Sequence, residues 1–424
     1  MTKSLDRYPR AEVNGLSSLS MSFFNFIIVS LILSILLLNF KLVTVVGAAL
    51  KPIHILLIIT TVYSVFFTRM AVKDLLIGFS FLVLPIFPLY RIGNVGEWFK
   101  SYVIYFIACC FMMTSLRSFL KVFKQNRDRY IKLFLYTIAF AQILGIIQFI
   151  CMNFLGIFFL RDFWGAFQFH RNQFGTSGGF YRAYSVFLEP SFFAWVNNSA
   201  LAILLYSSER LLSKKVSFVL AILSVFSIIC TFSASGLVIT MILFIAYGLF
   251  RSNNPAKLLA ALFVLGLIFL TIGTFTDLFT PLKRIFVEIQ TEGTSGYERL
   301  VTPLLYLKAV WTHYPFFGRG LGQDGILDAV GVIGRYEGVQ NSLFGIFVWM
   351  GLSALSIMIP ACIYSVRCVK RDRKWMLLLI NILGIYVSTG AWCSVDTFLF
   401  LILLVAMGQG GLSENNVITK TKEA

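Results

Sequence analysis

The chain has 424 residues, of which 58% are hydrophobic and only 13% charged, with a formal net charge of +17 at neutral pH. A soluble domain carries about a quarter charged residues, so this composition excludes a soluble enzyme. The positive charge does not point to nucleic acid, because membrane proteins collect Lys and Arg in their cytoplasmic loops.

Apolar runs of about 17 to 25 residues separated by short polar gaps fill most of the length. The expected fold class is therefore an all-α polytopic integral membrane protein, with a single membrane domain over 1–424 and about twelve transmembrane helices. Residues 1–21 carry Lys3, Arg7 and Arg10 with no small-residue cleavage site after the first apolar run, and read as a cytoplasmic tail before a retained helix. Hydropathy predicts helices near 22–40, 52–68, 74–90, 98–116, 131–160 and 184–206. Further helices are predicted near 216–232, 236–250, 258–280, 341–365, 375–392 and 395–410. Residues 42–50 could extend either neighbouring helix.

Charge tests this layout independently of hydropathy. With the N-terminus in the cytoplasm, the inside segments gain Arg69, Lys73, Arg117, Lys121, Lys124, Arg210, Lys214, Lys215, Arg251, Arg367, Lys370 and Arg371. Every inside loop is then basic, as the positive-inside rule requires. Both termini fall in the cytoplasm, with 411–424 as the second tail. Residues 161–183 form one external loop and 281–340 a large one, where the chemistry is expected.

The seven cysteines fall in or beside apolar runs without CxxC pairs or nearby histidines, so neither a metal site nor a disulfide framework is expected. "GLGQDG" (320–325) fits the dinucleotide fingerprint in letters only, since no strand precedes it. Its glycines are expected to make turns whose N–H groups approach phosphate or sugar. "TPLLYLKAVWTH" (302–313) has Thr at the N-cap position, Pro at N1, and Leu304, Leu307 and Trp311 at helical spacing. It reads as a short amphipathic helix lying on the outer membrane surface.

The segment "YRAYSVFLEPSFFA" (181–194) opens a membrane span with Arg182, Glu189 and Pro190. Ionisable groups within a span cost on the order of 2.5–3.5 kcal/mol each, so they are seldom accidental. Proline disfavours helical backbone at the residue before it and is at home in the first turn. The helix is therefore expected to start at Pro190, with Glu189 at its mouth and Arg182 on irregular backbone facing a cavity. A simple Arg182–Glu189 ion pair holding the loop is the plainer reading of the same residues.

This segment resembles the Arg-x-x-(Gly/Ser)-x-Phe-x-Glu-Pro-(Ser/Ala)-x-x-Ala stretch of O-antigen polymerases of the Wzy type, which share a membrane superfamily with O-antigen ligases. "TFSASG" (231–236) resembles that family's serine-rich external turn. "YERLVTPLLYLKAVWTHYPFFGRGLG" (297–322) resembles its large external loop, and "VQNSLFGIFVWMGL" (339–352) the segment that opens the next helix. The resemblance covers about residues 180 to 352. Gln340 stands where the ligase pattern has His, which favours polymerase over ligase.

The resemblance implies glycosyl transfer at the outer face of the bacterial inner membrane. The donor would be a growing glycan on undecaprenyl pyrophosphate, and the acceptor a lipid-linked repeat unit. No cofactor, nucleotide or metal is implied, because the leaving group is already activated. Implied partners are membrane lipids, a chain-length regulator and other polysaccharide assembly proteins. Arg182 and Arg299 are the expected pyrophosphate ligands, helped by Arg284 or Arg319, because arginines preorganised on a polyanion stabilise developing charge. Glu189 is the leading candidate base and His313 the other titratable one, although His313 also reads as an interfacial surface residue. Ser185, Gly320 and Asn341 are carried as substrate-binding positions. The alternatives are an O-antigen ligase and, from another class, a lipid-linked oligosaccharide flippase. The absence of repeated halves weighs against the flippase.

Overall fold

The structure, a computed structural model, describes residues 17–158, 176–251, 287–321, 341–388 and 395–409, apart from positions 39, 41, 46, 47, 69, 92–94, 178, 188, 292 and 293. It is mostly helical. Helix α1 (Ser18–Leu33) opens on Ser17, whose hydroxyl accepts from the Ser20 amide. A 3-10 turn continues it to Leu37, but residues 42–50 extend neither neighbouring helix. Instead β1 (Val43–Val45) and β2 (Ala48–Leu50) pair antiparallel, with Thr44 opposite Ala49, as the β-branched run Val43-Thr44-Val45 favours.

Next come α2 (Pro52–Phe67), α3 (Val72–Val83), α4 (Val95–Thr114), α5 (Leu116–Gln125) and α6 (Arg127–Ile150). Helix α5 bends 63° away from α4. It was not among the hydropathy-predicted helices because it is amphipathic, burying Phe119, Val122 and Phe123. After the short strands β3 (Thr176–Ser177) and β4 (Phe180–Tyr181) come α7 (Pro190–Leu211), α8 (Lys214–Cys230) and α9 (Ala234–Arg251). The remainder is α10 (Ser295–Leu300), α11 (Thr302–His313), α12 (Ser342–Met350), α13 (Leu355–Arg371), α14 (Trp375–Ser388) and α15 (Val395–Gln409).

Among the described residues, Ser18–Leu37, Arg127–Leu155, Ala234–Arg251 and Ser342–Arg371 are long and apolar enough to cross a membrane. The bent α4–α5 pair makes a fifth if it is one span, and α2 and α14 are shorter apolar helices. The helix predicted at 258–280 lies outside the described residues.

Helix α7 is the hub, packed against α6, α8, α9 and α14, and every residue from Phe193 to Leu204 is buried. A helix enclosed on all sides must satisfy its polar side chains within the bundle. Asn198 does so by donating to the Gly236 carbonyl at 2.9 Å and accepting from the Thr240 hydroxyl at 2.7 Å. The Ser199 hydroxyl accepts from the Asn381 amide at 2.8 Å, which ties α14 to the same turn.

The segment 315–320 is built onto the break between α12 and α13. The helix stops at Gly351, leaving carbonyls near its end without partners. The amides of Arg319 and Gly320 donate to the carbonyls of Val348 and Trp349, and those of Leu352 and Ser353 to Pro315 and Phe316, all at 2.8–2.9 Å. Two glycines permit this approach. Gly318 (φ +63°) would bring a Cβ within 2.5 Å of the Trp349 backbone, and Gly351 (φ +57°) within 2.5 Å of the Pro315 carbonyl oxygen.

The strand-like contact also orients α11. Its first turn follows Arg299, which is tied to Asn341 at the start of α12, and its end leads to Arg319, tied to Val348 near the finish. Helix α11 therefore packs against α12, with the chain before it tied to the start of α12 and the chain after it tied near its end. Its N-cap is Val301, and Thr302 is already helical. Pro303, Tyr306 and Val310 face inward, whereas Leu304 and Trp311 are about half exposed.

Gly318→Ala should lower the stability by about 3 kcal/mol or more, since it adds backbone overlap to a left-handed conformation. Gly156→Ala, also at positive φ but with no atom near the new Cβ, should cost only about 1–2 kcal/mol. Thermal unfolding of the detergent-purified variants measures the difference, and equal losses would remove the role given to this contact.

Candidate active site

The mouth of α7 forms as its sequence requires. Glu189, before Pro190, is extended (φ −136°, ψ 153°) and caps the helix, its carbonyl accepting from the amides of Phe192 and Phe193 at 3.1 and 3.2 Å. The Ser191 hydroxyl donates to Glu189 Oε2 at 2.8 Å, and the positive end of the helix dipole favours the carboxylate there. Arg299 Nη2 lies 3.7 Å from the same oxygen, with both side chains only 20–25% exposed.

Arg299 reaches this place because its backbone is held. Asn341 donates from Nδ2 to the Arg299 carbonyl at 2.9 Å. With Oδ1 it accepts from the amides of Leu343 and Phe344, which caps α12. One asparagine thus starts a helix and anchors the neighbouring loop. Glu298, beside Arg299, was passed over in the sequence. Burial pushes its carboxyl above the ordinary carboxylate range, and the Arg299 charge partly opposes that shift.

Arg182 is held by backbone of a neighbouring helix. Its Nε donates to the Thr231 carbonyl at 2.9 Å, at the end of α8, and the Ala183 amide donates to Cys230. The irregular stretch is tied to α6 and the turn that continues it (Cys151–Leu155) by two polar residues that hydropathy passes over. Gln148 Oε1 accepts the amides of Tyr184 and Ser185 at 3.0 and 2.8 Å. Asn153 donates to the Tyr181 carbonyl and accepts from its amide. Ser185 sits at φ +55°, a left-handed conformation that costs a non-glycine residue on the order of 1–3 kcal/mol. It is buried, and its hydroxyl donates to the Ala141 carbonyl at 2.6 Å.

The structure thus brings Glu189, Arg299 and Asn341 together, whereas Arg182 is tied to the end of α8. Arg319 and Gly320 stand at the other end of α12, about 10 Å along its axis at about 1.5 Å per residue. The Gly320 amide is engaged by Trp349 and is not the donor to phosphate or sugar expected of that turn. Arg319 is buried, its guanidinium 5.1 Å above the Tyr314 ring and Nη1 2.9 Å from the Tyr314 hydroxyl, whereas its Nε finds no acceptor. His313 is exposed at the end of α11. Arg284 lies outside the described residues. Among those residues no three His, Cys, Asp or Glu side chains converge as a group able to hold a metal ion.

Chemically, a carboxylate fixed at a helix mouth beside a half-buried guanidinium can accept a proton and bind an anion on adjacent atoms. Residues 26–409 match the family model described as WcaD colanic acid polymerase. No curated protein sequence matches the chain.

Two outcomes follow for stability. Asn341→Ala removes the cap of α12 and should cost about 1 kcal/mol from that term alone. Asn341→Asp keeps the cap but not the donor to Arg299, so it should recover only part of the loss in thermal unfolding. For Glu298 the sign is set by its raised pKa. The folded state holds the proton more tightly than the unfolded one, so stability is fullest at low pH and falls as pH rises through the raised value. Glu298→Gln should therefore be more stable than wild type near pH 7 and indistinguishable below about pH 4. A constant difference across a pH series of unfolding midpoints would contradict this.

Proposed function

The chain belongs to the WcaD colanic acid polymerase family, and on that premise we propose that it polymerises a lipid-linked oligosaccharide. The growing glycan moves from undecaprenyl pyrophosphate to a terminal sugar hydroxyl of a second lipid-linked repeat unit. The acceptor oxygen attacks the anomeric carbon of the donor, the bond from that carbon to the pyrophosphate oxygen breaks, and the acceptor proton passes to Glu189. Arg299 and Arg182 neutralise the charge that builds on the departing pyrophosphate, with Arg284 or Arg319 as further cations along the same loop.

The observation that carries this reading is the Glu189–Arg299 pair at the mouth of α7. At 3.7 Å it exceeds a hydrogen bond, so it is an electrostatic pair open to competition. Its gross attraction is about 4 kcal/mol at an effective dielectric near 20. A pyrophosphate brings more than one negative charge and two faces for the guanidinium fork, so it can draw Arg299 away and leave Glu189 to take a proton. A resting pair of base and anion ligand thereby couples proton acceptance to the presence of the donor.

Basic segments at one end of the spans support the orientation with both termini in the cytoplasm and the α7 mouth outside. In a bacterium that mouth opens on the periplasmic side of the inner membrane, where lipid-linked units, a chain-length regulator and other assembly proteins would meet it. About twelve spans complete this topology.

The test is complementation of a deletion strain with epitope-tagged variants, with lipid-linked and surface glycans sized by gel. Glu189→Gln should reduce polymer by at least about a hundredfold, the lower range for loss of a general base. Arg299→Ala should do the same, and Ser191→Ala should cost about tenfold through loss of a charge-assisted hydrogen bond. Full-length polymer from a normally inserted Glu189→Gln protein would refute the assignment. In the deletion strain itself, accumulation of finished lipid-linked polymer would indicate a ligase, and single units facing the cytoplasm a flippase.

A further inference from the structure

The end of the bundle opposite the α7 mouth carries a second feature that polymer synthesis does not use. Helix α6 separates the two ends. Asn153, in the turn that continues it to Leu155, holds Tyr181 beside the mouth, whereas Arg127 at its start donates to the Met407 carbonyl. The Arg127–Leu155 helix has 29 residues, so the ends are about 43 Å apart at about 1.5 Å per residue. At the far end, between α3 and the α4–α5 bend, lies an open cleft of about 430 Å³ lined by Asp74, Arg117 and otherwise apolar side chains such as Ile77, Phe81, Met112 and Leu120.

The cleft has two chemically distinct parts. Its apolar walls lie against spans and are reached from the outside of the bundle, since Ile77 is 46% exposed. Its charged part is a loose ion pair, Arg117 Nη1 3.9 Å from Asp74 Oδ2, in which the arginine is 75% exposed and the aspartate 31%. The cation is therefore the group presented outward. The surroundings reinforce its sign. Between positions 117 and 132 the chain carries Arg117, Lys121, Lys124, Arg127, Arg129 and Lys132 against the single acid Asp128. Helix α5 buries Phe119, Val122 and Phe123 and turns 63° from the span before it. That is the form of an interfacial helix, whose apolar face lies inward and whose cations meet headgroups.

We propose that this cleft is a binding site for an anionic phospholipid, with the phosphodiester on Arg117 and the start of one acyl chain in the groove between α3 and α4. A zwitterionic lipid offers the same chain but no net charge to the cation cluster. A soluble anion offers charge but nothing for the apolar walls. The ion pair with Asp74 is then the state without lipid, and the phosphate displaces the aspartate from Arg117.

Native mass spectrometry of the full-length protein released from nanodiscs tests this, with equal parts phosphatidylglycerol and phosphatidylcholine in the nanodiscs. Wild type should retain phosphatidylglycerol preferentially. Arg117→Ala should lower that retention about fivefold, the factor equivalent to about 1 kcal/mol per basic residue at an anionic surface. Asp74→Asn removes the competitor and should raise it. Ile77→Trp, which fills the groove from its exposed side, should lower retention with Arg117 intact and covers the case in which the arginine variant is poorly folded. Equal retention of both lipids by wild type, or losses of equal size from Asp74→Asn and Arg117→Ala, would overturn the proposal. Polymer length in the same variants reports separately on the α7 mouth.

Discussion

The structure is organised by one requirement, that backbone leaving a helix inside a membrane bundle must find all its hydrogen-bond partners within the protein. At the α7 mouth the chain from Tyr181 to Glu189 is not helical. Backbone groups of Tyr181, Ala183, Tyr184 and Ser185 are taken by Asn153, Cys230 and Gln148 from the ends of neighbouring helices. At the α12 break the same demand is met by a different device, backbone pairing with the 315–320 turn. Both devices tie irregular chain to the helices around it. The left-handed Ser185 and Gly318 lie within those two segments.

Irregular backbone tied in this way is also what puts charge where chemistry can use it. A regular span would have buried Glu189 among lipid-facing turns or excluded it altogether. Pro190 ends the regular part of the chain at the one residue whose carboxylate can then sit at a helix N-terminus, beside Ser191 and across from Arg299. Asn341 transmits the position of α12 to Arg299 through a single donor, so Arg299 is placed from the start of α12 and Glu189 from the start of α7. The two are independent pieces of chain whose charges meet at 3.7 Å. That is close enough to hold the resting geometry and loose enough for a competing anion.

Legibility in the sequence divided along physical lines. Hydropathy finds long apolar helices because burial and length speak with one voice there; it put α7 near 184–206, and the proline rule supplied its start at Pro190. It missed α5, whose apolar residues occur at helical spacing among cations and never form a run. It read 42–50 as undecided chain, where the structure pairs Val43–Val45 with Ala48–Leu50. At the site, Glu189 and Arg182 were conspicuous because a charge in a span needs a reason. Gln148 and Asn153 were not, since an uncharged amide near the end of an apolar run barely lowers its hydropathy. The Glu189–Arg299 pairing could not be read from spacing at all, because it joins residues 110 positions apart (299 minus 189) through the fold. The resemblance named both residues without saying that they meet.

The glycine-rich stretch 315–320 shows why motif and mechanism need separating. Gly320, expected to open a phosphate- or sugar-approaching turn at 320–325, has its amide engaged by α12, as has Arg319, and the glycine at 318 lets two backbones touch. What the stretch delivers is a buried guanidinium, stacked on Tyr314 and fixed to the break in a candidate span. The carbonyl-rich end of α12 favours a cation at that place, so the charge is stabilised by the scaffold before any anion arrives. Backbone that first appeared to be the ligand-binding element is the support, and the side chain it carries is the group left with donor capacity to spend. The same division holds at the α7 mouth, where Asn341 and Gln148 hold the chain and Glu189 and Arg299 face each other across the opening.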